Sequence, residues 1–213
     1  MDLKKHLDRA EAALKKGQAD FAVELCDQVL EFAPGEGRAA ELFTKALLEM
    51  EGGSKLMGKL GAGPAGLAAR FSRLTRNPEG EARSLRRAFL KNSGDLRAGV
   101  AWAEALEKAG YAGGALGVFG ALASQDGEAA KKAGALAAAQ GEVDQALDFY
   151  KMALEVNPRD TEAMRARKNL AAEQALRTKK YEEAESGFDL AVDQDAFLRA
   201  ARGEDADPQD EQD

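Results

Sequence analysis

The sequence contains a single cysteine and a single histidine, and this excludes several kinds of site. Cys26 has no second cysteine to pair with, so no intrachain disulfide can form, and such cysteine usage is typical of a reducing compartment. With His6 as the one histidine, neither an ordinary zinc site nor a Ser-His-Asp triad can be assembled. We therefore expect no metal, no cofactor and no catalytic residue, and we do not predict an enzyme.

Long apolar runs are also missing from the chain. No stretch approaches the roughly 18 apolar residues that a membrane helix needs. The first residues, MDLKKHLDRAEAALKKG, are charged throughout, unlike a secretory signal. The net charge of −7 argues against nucleic-acid binding by the whole molecule. These features predict a cytoplasmic protein that neither spans a membrane nor binds nucleic acid.

Aromatic residues make up only 6% of the sequence, whereas alanine and glycine are abundant. Large side chains therefore contribute little core volume, and small ones allow close approach of the backbone. This balance favours closely packed helices over a sheet sandwich. A chain of 213 residues suits one large domain or an array of small units.

One phrase, GEVDQALDFYKMALEVNP at residues 141–158, recurs as a template in four segments. The template has Gly at its start, small or large apolar residues at offsets +5, +9 and +12, and Pro at +17, and two of the segments match it over its full length. The second segment has Gly127 in place of the proline, and the fourth starts at Lys179 and has Ala196 at +17. The packing residues are Gly17, Ala22, Cys26 and Pro34 in the first segment, Gly110, Ala115 and Phe119 in the second, Gly141, Ala146, Tyr150, Ala153 and Pro158 in the third, and Tyr181, Ala184, Phe188 and Ala191 in the fourth.

Helix geometry explains the offsets. Glycine ends the preceding helix and permits the positive φ of a tight turn. The three apolar offsets lie on one helical face, where a small residue admits a neighbouring helix and a large one fills the space beyond it. Proline cannot continue the helix but can begin the next one in its first turn.

At these residues the sequence resembles the tetratricopeptide repeat (TPR), a helix-turn-helix unit of about 34 residues. GEVDQALDFYKMALEVNPRDTEA is similar to the second helix of a repeat, and Trp102 lies where the family places part of its first-helix motif. The resemblance covers residues 3–34 and about 94–196. It implies an all-α fold, a right-handed superhelical stack of antiparallel helix pairs (a TPR-like α-solenoid) with about 10–11 helices.

The expected domain organisation follows the template. Residues 1–51 form an N-terminal unit plus the following helix, and residues 94–202 form an array of about three units. Between them, residues 52–93 are expected to be a basic, Gly-rich linker and a degenerate helix pair, with a helix from about 79 to 91. The acidic tail 203–213 is expected to be disordered. The sequence leaves open which helices pair across residues 35–93.

In such a stack the first helix of each unit lines a concave groove suited to a peptide or protein segment. One subgroup of the family grips C-terminal carboxylates with Lys and Asn at particular first-helix positions, but the matching positions here do not reproduce that set. Capture of chaperone C-termini is therefore not predicted. The groove-facing candidates that the resemblance implies are Arg97, Val100, Glu104, Lys131, Ala135, Asn169 and Glu173.

Positive charge is concentrated in residues 52–97, where ten Lys and Arg residues stand against three acids. Two interpretations are open: a solvated helix face, or a contact surface for an acidic partner, an anionic membrane or the chain's own acidic tail. The candidate basic patch consists of Arg70, Arg73, Arg76, Arg83, Arg86 and Arg87.

These features predict a non-catalytic scaffold or adaptor that binds a peptide or protein partner, an acidic one being a candidate, in the concave groove. An alternative is a small acidic TPR chaperone that holds an aggregation-prone or secretion client. A third, in a different class, is a nucleotide-binding enzyme using GAGPAG at residues 61–66, which matches the GxGxxG spacing but follows no strand pattern. The partner and the oligomeric state are not predicted.

Overall fold

A computed structural model describes residues 2–50 and 77–176 of the chain. The GxGxxG-like segment 61–66 and the acidic tail 203–213 lie outside the described residues. The same holds for Arg70, Arg73, Arg76, Tyr181, Ala184, Phe188 and Ala191.

All regular secondary structure within the described residues is helical. In chain order the helices are α1 (Leu3–Lys15), α2 (Ala19–Phe32), α3 (Gly37–Glu49), α4 (Pro78–Lys91), α5 (Leu96–Lys108), α6 (Ala112–Leu122), α7 (Gly127–Ala139) and α8 (Val143–Val156). Residues 161–176 are also helical. The helix predicted from about 79 to 91 is therefore confirmed as α4.

The chain divides into two compact units, Met1–Arg167 and Lys168–Asp213. All eight named helices belong to the first unit, whereas the described part of the second unit is the helical stretch 168–176. The boundary after Arg167 falls within the predicted array 94–202, and the predicted domain limits stay predictions.

Local sequence explains where the helices begin. Four of them start with an Asp or Asn whose side chain accepts a hydrogen bond from a backbone N–H of the first turn, which satisfies one of the four donors left unpaired there. These N-caps are Asp2, Asn77, Asp95 and Asp126. Pro78 occupies the first turn of α4, where its missing N–H costs nothing.

Glycine ends the first helix of three hairpins. Gly110 and Gly141 follow α5 and α7 with φ of 83°, and Gly17 follows α1 with φ of 70°. After each, a backbone N–H bonds back to a carbonyl five residues earlier, as Glu142 does to Ala137, which is the Schellman arrangement. The template glycines therefore set the hairpins α1–α2, α5–α6 and α7–α8.

Replacing Gly141 by alanine should lower the free energy of unfolding by about 1 kcal/mol, because an L side chain is strained at this backbone conformation. A β-carbon there meets nothing within 4 Å, so the loss would come from the backbone alone. Urea denaturation followed by circular dichroism measures it. Gly141→Asn should cost less, since Asn tolerates the left-handed region; equal losses would contradict the explanation.

The apolar template positions are buried in all three described segments. Ala146 and Ala153 of α8 are completely buried, and Tyr150 is 8% exposed. A β-carbon on Gly134 of α7 would lie 3.0 Å from the Tyr150 ring, so this aromatic packs directly on the backbone of the preceding helix. The small residues of the template thus permit the close hairpin that the geometry predicts.

The template prolines differ from the expectation. Pro34 and Pro158 lie in the turns that follow α2 and α8, and the next helical residues begin at 37 and 161. Each proline ends a helix without joining the next one. After Pro158, Asp160 caps the next helix by accepting hydrogen bonds from the N–H groups of Glu162 and Ala163, whereas Glu36, the N-cap residue of α3, makes no side-chain capping hydrogen bond.

The helix pairing that the sequence leaves open is decided by contacts between α3 and α6. Phe43 of α3 meets Trp102 of α5 edge to face, with ring centroids 5.4 Å apart, and Phe89 of α4 lies 6.3 Å from the same indole. All three rings are buried. Trp102 therefore joins helices from both sides of residues 51–76 in one core.

Glycines of α6 let this helix approach the start of α3 to backbone contact. A β-carbon on Gly114 would lie 2.9 Å from the carbonyl oxygen of Pro34, and one on Gly117 would overlap the carbonyl oxygen of Gly37. In isolation such glycines weaken a helix by about 1 kcal/mol each. Here these glycines allow the backbone of α6 to cross α3 in direct contact.

The prediction of an all-α, TPR-like solenoid is confirmed in the described residues by these hairpins, by the packing of α3 on α2 and α6, and by the packing of α6 on α7.

Candidate functional site

Ion pairs join helices that lie side by side within the first unit. Arg38 of α3 donates to Asp8 at 2.9 Å and to Glu11 at 2.5 Å, both on α1. Lys132 of α7 donates to Glu104 of α5 at 2.5 Å. Exposed pairs of this kind stabilise by no more than about 1 kcal/mol each, so their main effect is to hold the spacing between these helices.

Glu11 makes the α1–α3 contact sensitive to acid. Hydrogen bonds from Lys15 and Arg38 lower the pKa of its carboxyl from 4.5 to about 2. A depressed folded-state pKa stabilises the fold above the unfolded value, and this stabilisation is lost as the pH falls from 4.5 towards 2. Glu11→Gln should therefore show a smaller drop in urea midpoint between pH 6 and pH 3 than the wild-type protein. An identical drop would contradict the assignment.

An open cleft of about 530 Å³ lies between α5 and α7. It is lined by Glu104, Glu107 and Lys108 of α5 and by Lys132 of α7. The Lys132 ammonium also lies 5.4 Å from the centre of the buried Phe119 ring, which fixes this lysine by a cation–π contact in addition to its ion pair. We call this feature the charged cleft.

The predicted groove residues of the first unit lie on α5 and α7, the two helices that border the charged cleft. Arg97, Val100 and Glu104 share one face of α5, where Arg97 is exposed and the other two are half-buried. Glu104 is itself a cleft residue, and Ala135 is exposed one turn beyond Lys131 on α7. These five positions stay predictions as binding residues.

Lys131 differs from its neighbours because carboxylates surround its ammonium. It lies 2.8 Å from both Glu128 and Glu162 and 3.1 Å from Asp160. The Ala163 N–H and Lys131 together hold the pKa of the Asp160 carboxyl below its ordinary value. Lys131 therefore links α7 to the turn that follows α8. The last two predicted groove residues, Asn169 and Glu173, are exposed helical residues of the second unit.

The sequence pattern did not predict that Lys132, Glu107 and Lys108 line the cleft. Lys132 is adjacent to the predicted Lys131, but consecutive helical residues point about 100° apart. One lysine therefore contacts α5, and the other contacts the segment after α8. The sequence feature that could have indicated this is the pair of adjacent lysines in GEAAKKAGALAAA, because adjacent positions point towards different neighbours of α7.

The prediction that Arg86 belongs to an exposed basic patch is wrong. Its side chain is only 4% exposed and forms ion pairs with Asp27 and Glu31 of α2, the Asp27 oxygen lying 3.0 Å from Nε. That Nε is nevertheless not aligned for a hydrogen bond. Burial raises the pKa of the Asp27 carboxyl, and Arg86 opposes this rise. Of the predicted patch residues that the structure describes, Arg83 and Arg87 are exposed.

Cys26, a predicted packing residue, is completely buried in α2, and burial raises the pKa of its thiol to about 12. It therefore stays a neutral, unreactive thiol at physiological pH. Within residues 2–50 and 77–176, no three His, Cys, Asp or Glu side chains are grouped so that they could hold a metal ion. Among the same residues, no helix combines the length and the apolar character that crossing a bilayer requires.

The hairpins, their glycine turns and the cleft between first helices are those of a TPR-like helical-repeat protein. No protein-family model matches the sequence. No curated protein matches it either.

Solved structures similar to the chain include MamA, YrrB and the TPR domain of P58(IPK). MamA is 16% identical with a TM-score of 0.43, over 81% of this chain and 88% of that one. YrrB, described as a TPR protein with an unusual peptide-binding site, is 20% identical with a TM-score of 0.42, over 76% and 90%. The P58(IPK) domain is 16% identical with a TM-score of 0.47, over 91% and 73%. At these identities and TM-scores, the similarity assigns no function to any residue of this chain.

Proposed function

We propose that the chain is a non-catalytic scaffold that binds an extended or helical peptide segment of a partner protein at the charged cleft. The observation that carries this proposal is the open space of about 530 Å³ between α5 and α7. First helices that lie side by side leave a trough of the width that peptide segments occupy in helical-repeat proteins.

The polar lining favours a segment that carries both signs of charge. Lys132 is already paired with Glu104, whereas Glu107 and Lys108 are both exposed at the end of α5. A partner cation beside Glu107 and a partner carboxylate beside Lys108 would each form a charge-assisted hydrogen bond. Val100, one turn before Glu104, and Ala135, one turn after Lys132, offer apolar contact beside the paired charges.

A matched pair of tryptophan substitutions tests the proposal. Ala135 is exposed on α7 three residues after the cleft residue Lys132, a spacing that makes the two neighbours on the helix surface, whereas Gln145 is exposed on α8. A library of random peptides displayed on phage is selected on the wild-type protein, and individual binders are then measured against Ala135→Trp and Gln145→Trp. Binding should weaken by about tenfold or more in Ala135→Trp, because the indole fills the trough, and should be retained in Gln145→Trp.

Two results would contradict the proposal: selection of no binders, or binders that tolerate Ala135→Trp as well as Gln145→Trp. The chaperone alternative makes a different prediction. A client that is insoluble alone would be kept soluble by the protein, and Ala135→Trp would reduce the soluble fraction of that client rather than the affinity for a short peptide.

A further inference from the structure

We propose that Lys131 is a positioning residue: its ion pair with Asp160 holds the start of the helix at residues 161–176 against α7, and this pair, rather than apolar packing, keeps the first turns of that helix formed. The ion pair belongs to a group of four side chains, Lys131 and Glu128 of α7 with Asp160 and Glu162, which we call the Lys131 cluster. None of the four lines the charged cleft, so this inference does not depend on the function proposed above.

The helix at residues 161–176 buries little apolar surface. Ala163 is completely buried, but the other residues of this helix are half-buried or exposed, and the large apolar side chain of Met164 is 43% exposed. Most helical stability in proteins comes from the packing of an apolar face, and short isolated helices are marginal in water. The first turns of this helix therefore depend on contacts other than apolar packing.

A single carboxylate provides two such contacts at the start of the helix. Oδ1 of Asp160 accepts hydrogen bonds from the N–H groups of Glu162 and Ala163, each at 3.0 Å. Oδ2 of the same carboxylate lies 3.1 Å from Nζ of Lys131. The first oxygen satisfies N–H groups that have no acceptor within the helix, and the second attaches this cap to α7. Through Asp160, α7 therefore fixes where the helix begins.

Burial distinguishes the pair of Lys131 and Asp160 from the other contacts of the cluster. These two side chains are only 13% and 12% exposed, whereas those of Glu128 and Glu162 are 73% and 79% exposed. Exposed ion pairs are weak because water and salt screen them, but removing one partner of a shielded pair leaves the other charge poorly solvated. Without Lys131, the Asp160 carboxylate should therefore move towards water and take the start of the helix with it.

The cluster also uses the whole hydrogen-bonding capacity of Lys131. An ammonium group has three N–H donors, and three carboxylate oxygens lie within 3.1 Å of Nζ, one each from Glu128, Asp160 and Glu162. The neighbouring Lys132 points to Glu104 of α5 instead. Lys131 therefore has no donor left for a partner protein, and its role lies in the order of the helix that follows α8.

Hydrogen exchange of the full chain, measured by mass spectrometry at pH 7, tests the proposal. Lys131→Gln removes the ammonium, and Lys132→Gln makes the same change at the adjacent residue. The amides of residues 161–167 should exchange about tenfold or more faster in Lys131→Gln and should change by less than about twofold in Lys132→Gln. The amides of α2 are an internal reference and should keep wild-type exchange in both variants. Circular dichroism verifies that each variant folds.

Asp160→Asn separates the ion pair from the helix cap. Asparagine caps helices as well as aspartate does, so the hydrogen bonds to the backbone are kept, but the neutral amide cannot pair with Lys131. Residues 161–167 should therefore exchange faster in Asp160→Asn, by about as much as in Lys131→Gln. Combining the two substitutions should add little, because both remove the same contact. Lys131→Arg keeps the positive charge and should retain most of the protection.

Three results would overturn the proposal: wild-type exchange of residues 161–167 in Lys131→Gln, the same acceleration in Lys132→Gln, or wild-type exchange in Asp160→Asn, which would assign the order of the helix start to the cap alone. Equally faster exchange in α2 would show that Lys131 stabilises the whole first unit instead of this helix start. If Lys131→Arg exchanges as fast as Lys131→Gln, the positive charge is not what holds the helix.

Discussion

Replacing Gly117 by alanine is expected to lower the free energy of unfolding by about 2–3 kcal/mol, although the same change in an ordinary helix interior would stabilise it by about 1 kcal/mol. The added methyl group would overlap the Gly37 carbonyl oxygen and lie 3.0 Å from the Glu41 nitrogen. Both atoms belong to the first turns of α3, so no flexible side chain can move aside, and α3 would have to shift away from α6. A lower urea midpoint by circular dichroism measures the loss.

Gly127 gives a matched control for this substitution. It is also a helical glycine, at the start of α7, but a β-carbon there meets its nearest heavy atom at 3.4 Å, an ordinary contact distance. Gly127→Ala should change the free energy of unfolding by no more than about 0.5 kcal/mol. If Gly117→Ala behaves like this control, then α3 and α6 do not cross at backbone contact.

Replacing Arg86 by methionine is expected to cost about 3–5 kcal/mol, because it leaves the carboxylate of Asp27 buried without its cation. The Asp27 side chain is only 17% exposed, whereas that of Glu31 is 37% exposed and can be hydrated. Adding Asp27→Asn removes the buried charge, so the double variant should recover most of the lost stability. Thermal or urea denaturation of the wild-type protein, R86M, D27N and R86M/D27N measures this as a double-mutant cycle.

The pH dependence of R86M provides an independent check. Burial already raises the pKa of Asp27, and removal of Arg86 takes away the group that opposes this rise. An acid whose pKa is raised in the folded state favours folding as the pH falls through that pKa. R86M should therefore recover part of its stability on acidification from pH 8, and R86M/D27N should not. The same pH profile for both variants would rule out Asp27 as the source of the loss.

The hairpins could be predicted from the sequence because the residues that specify them are near neighbours. Gly141 and Tyr150 are only nine residues apart. Gly141 specifies the turn between α7 and α8, and the spacing of the apolar residues after it specifies which face of α8 is buried. The helix at 79–91 was predictable for the same reason, since Asn77 and Pro78 mark its start. The positions of Val100 and Glu104 on one face of α5 follow from helical spacing alone.

Arg86 and Lys132 could not be placed in this way. Arg86 lies among other arginines in a basic segment, and its sequence neighbours give no sign that Asp27 and Glu31, more than fifty residues earlier, will enclose it. Lys132 differs from Lys131 by one residue but contacts a different helix, because the stacking of α7 between two neighbours decides which lysine reaches which carboxylate.

The sequence by itself determined the helical class, the glycine turns, the small and large residues of each hairpin and the separation of positive from negative charge. All of these depend on residues within about one or two helical turns of each other, or on composition. Only the tertiary structure decided that α6 meets α3, that one arginine is buried while two stay exposed, and that α5 and α7 enclose a cleft. These features depend on contacts between helices that are far apart in the sequence. A single glycine or carboxylate takes its role from the residue that it meets in another helix, and the local sequence pattern does not specify that residue.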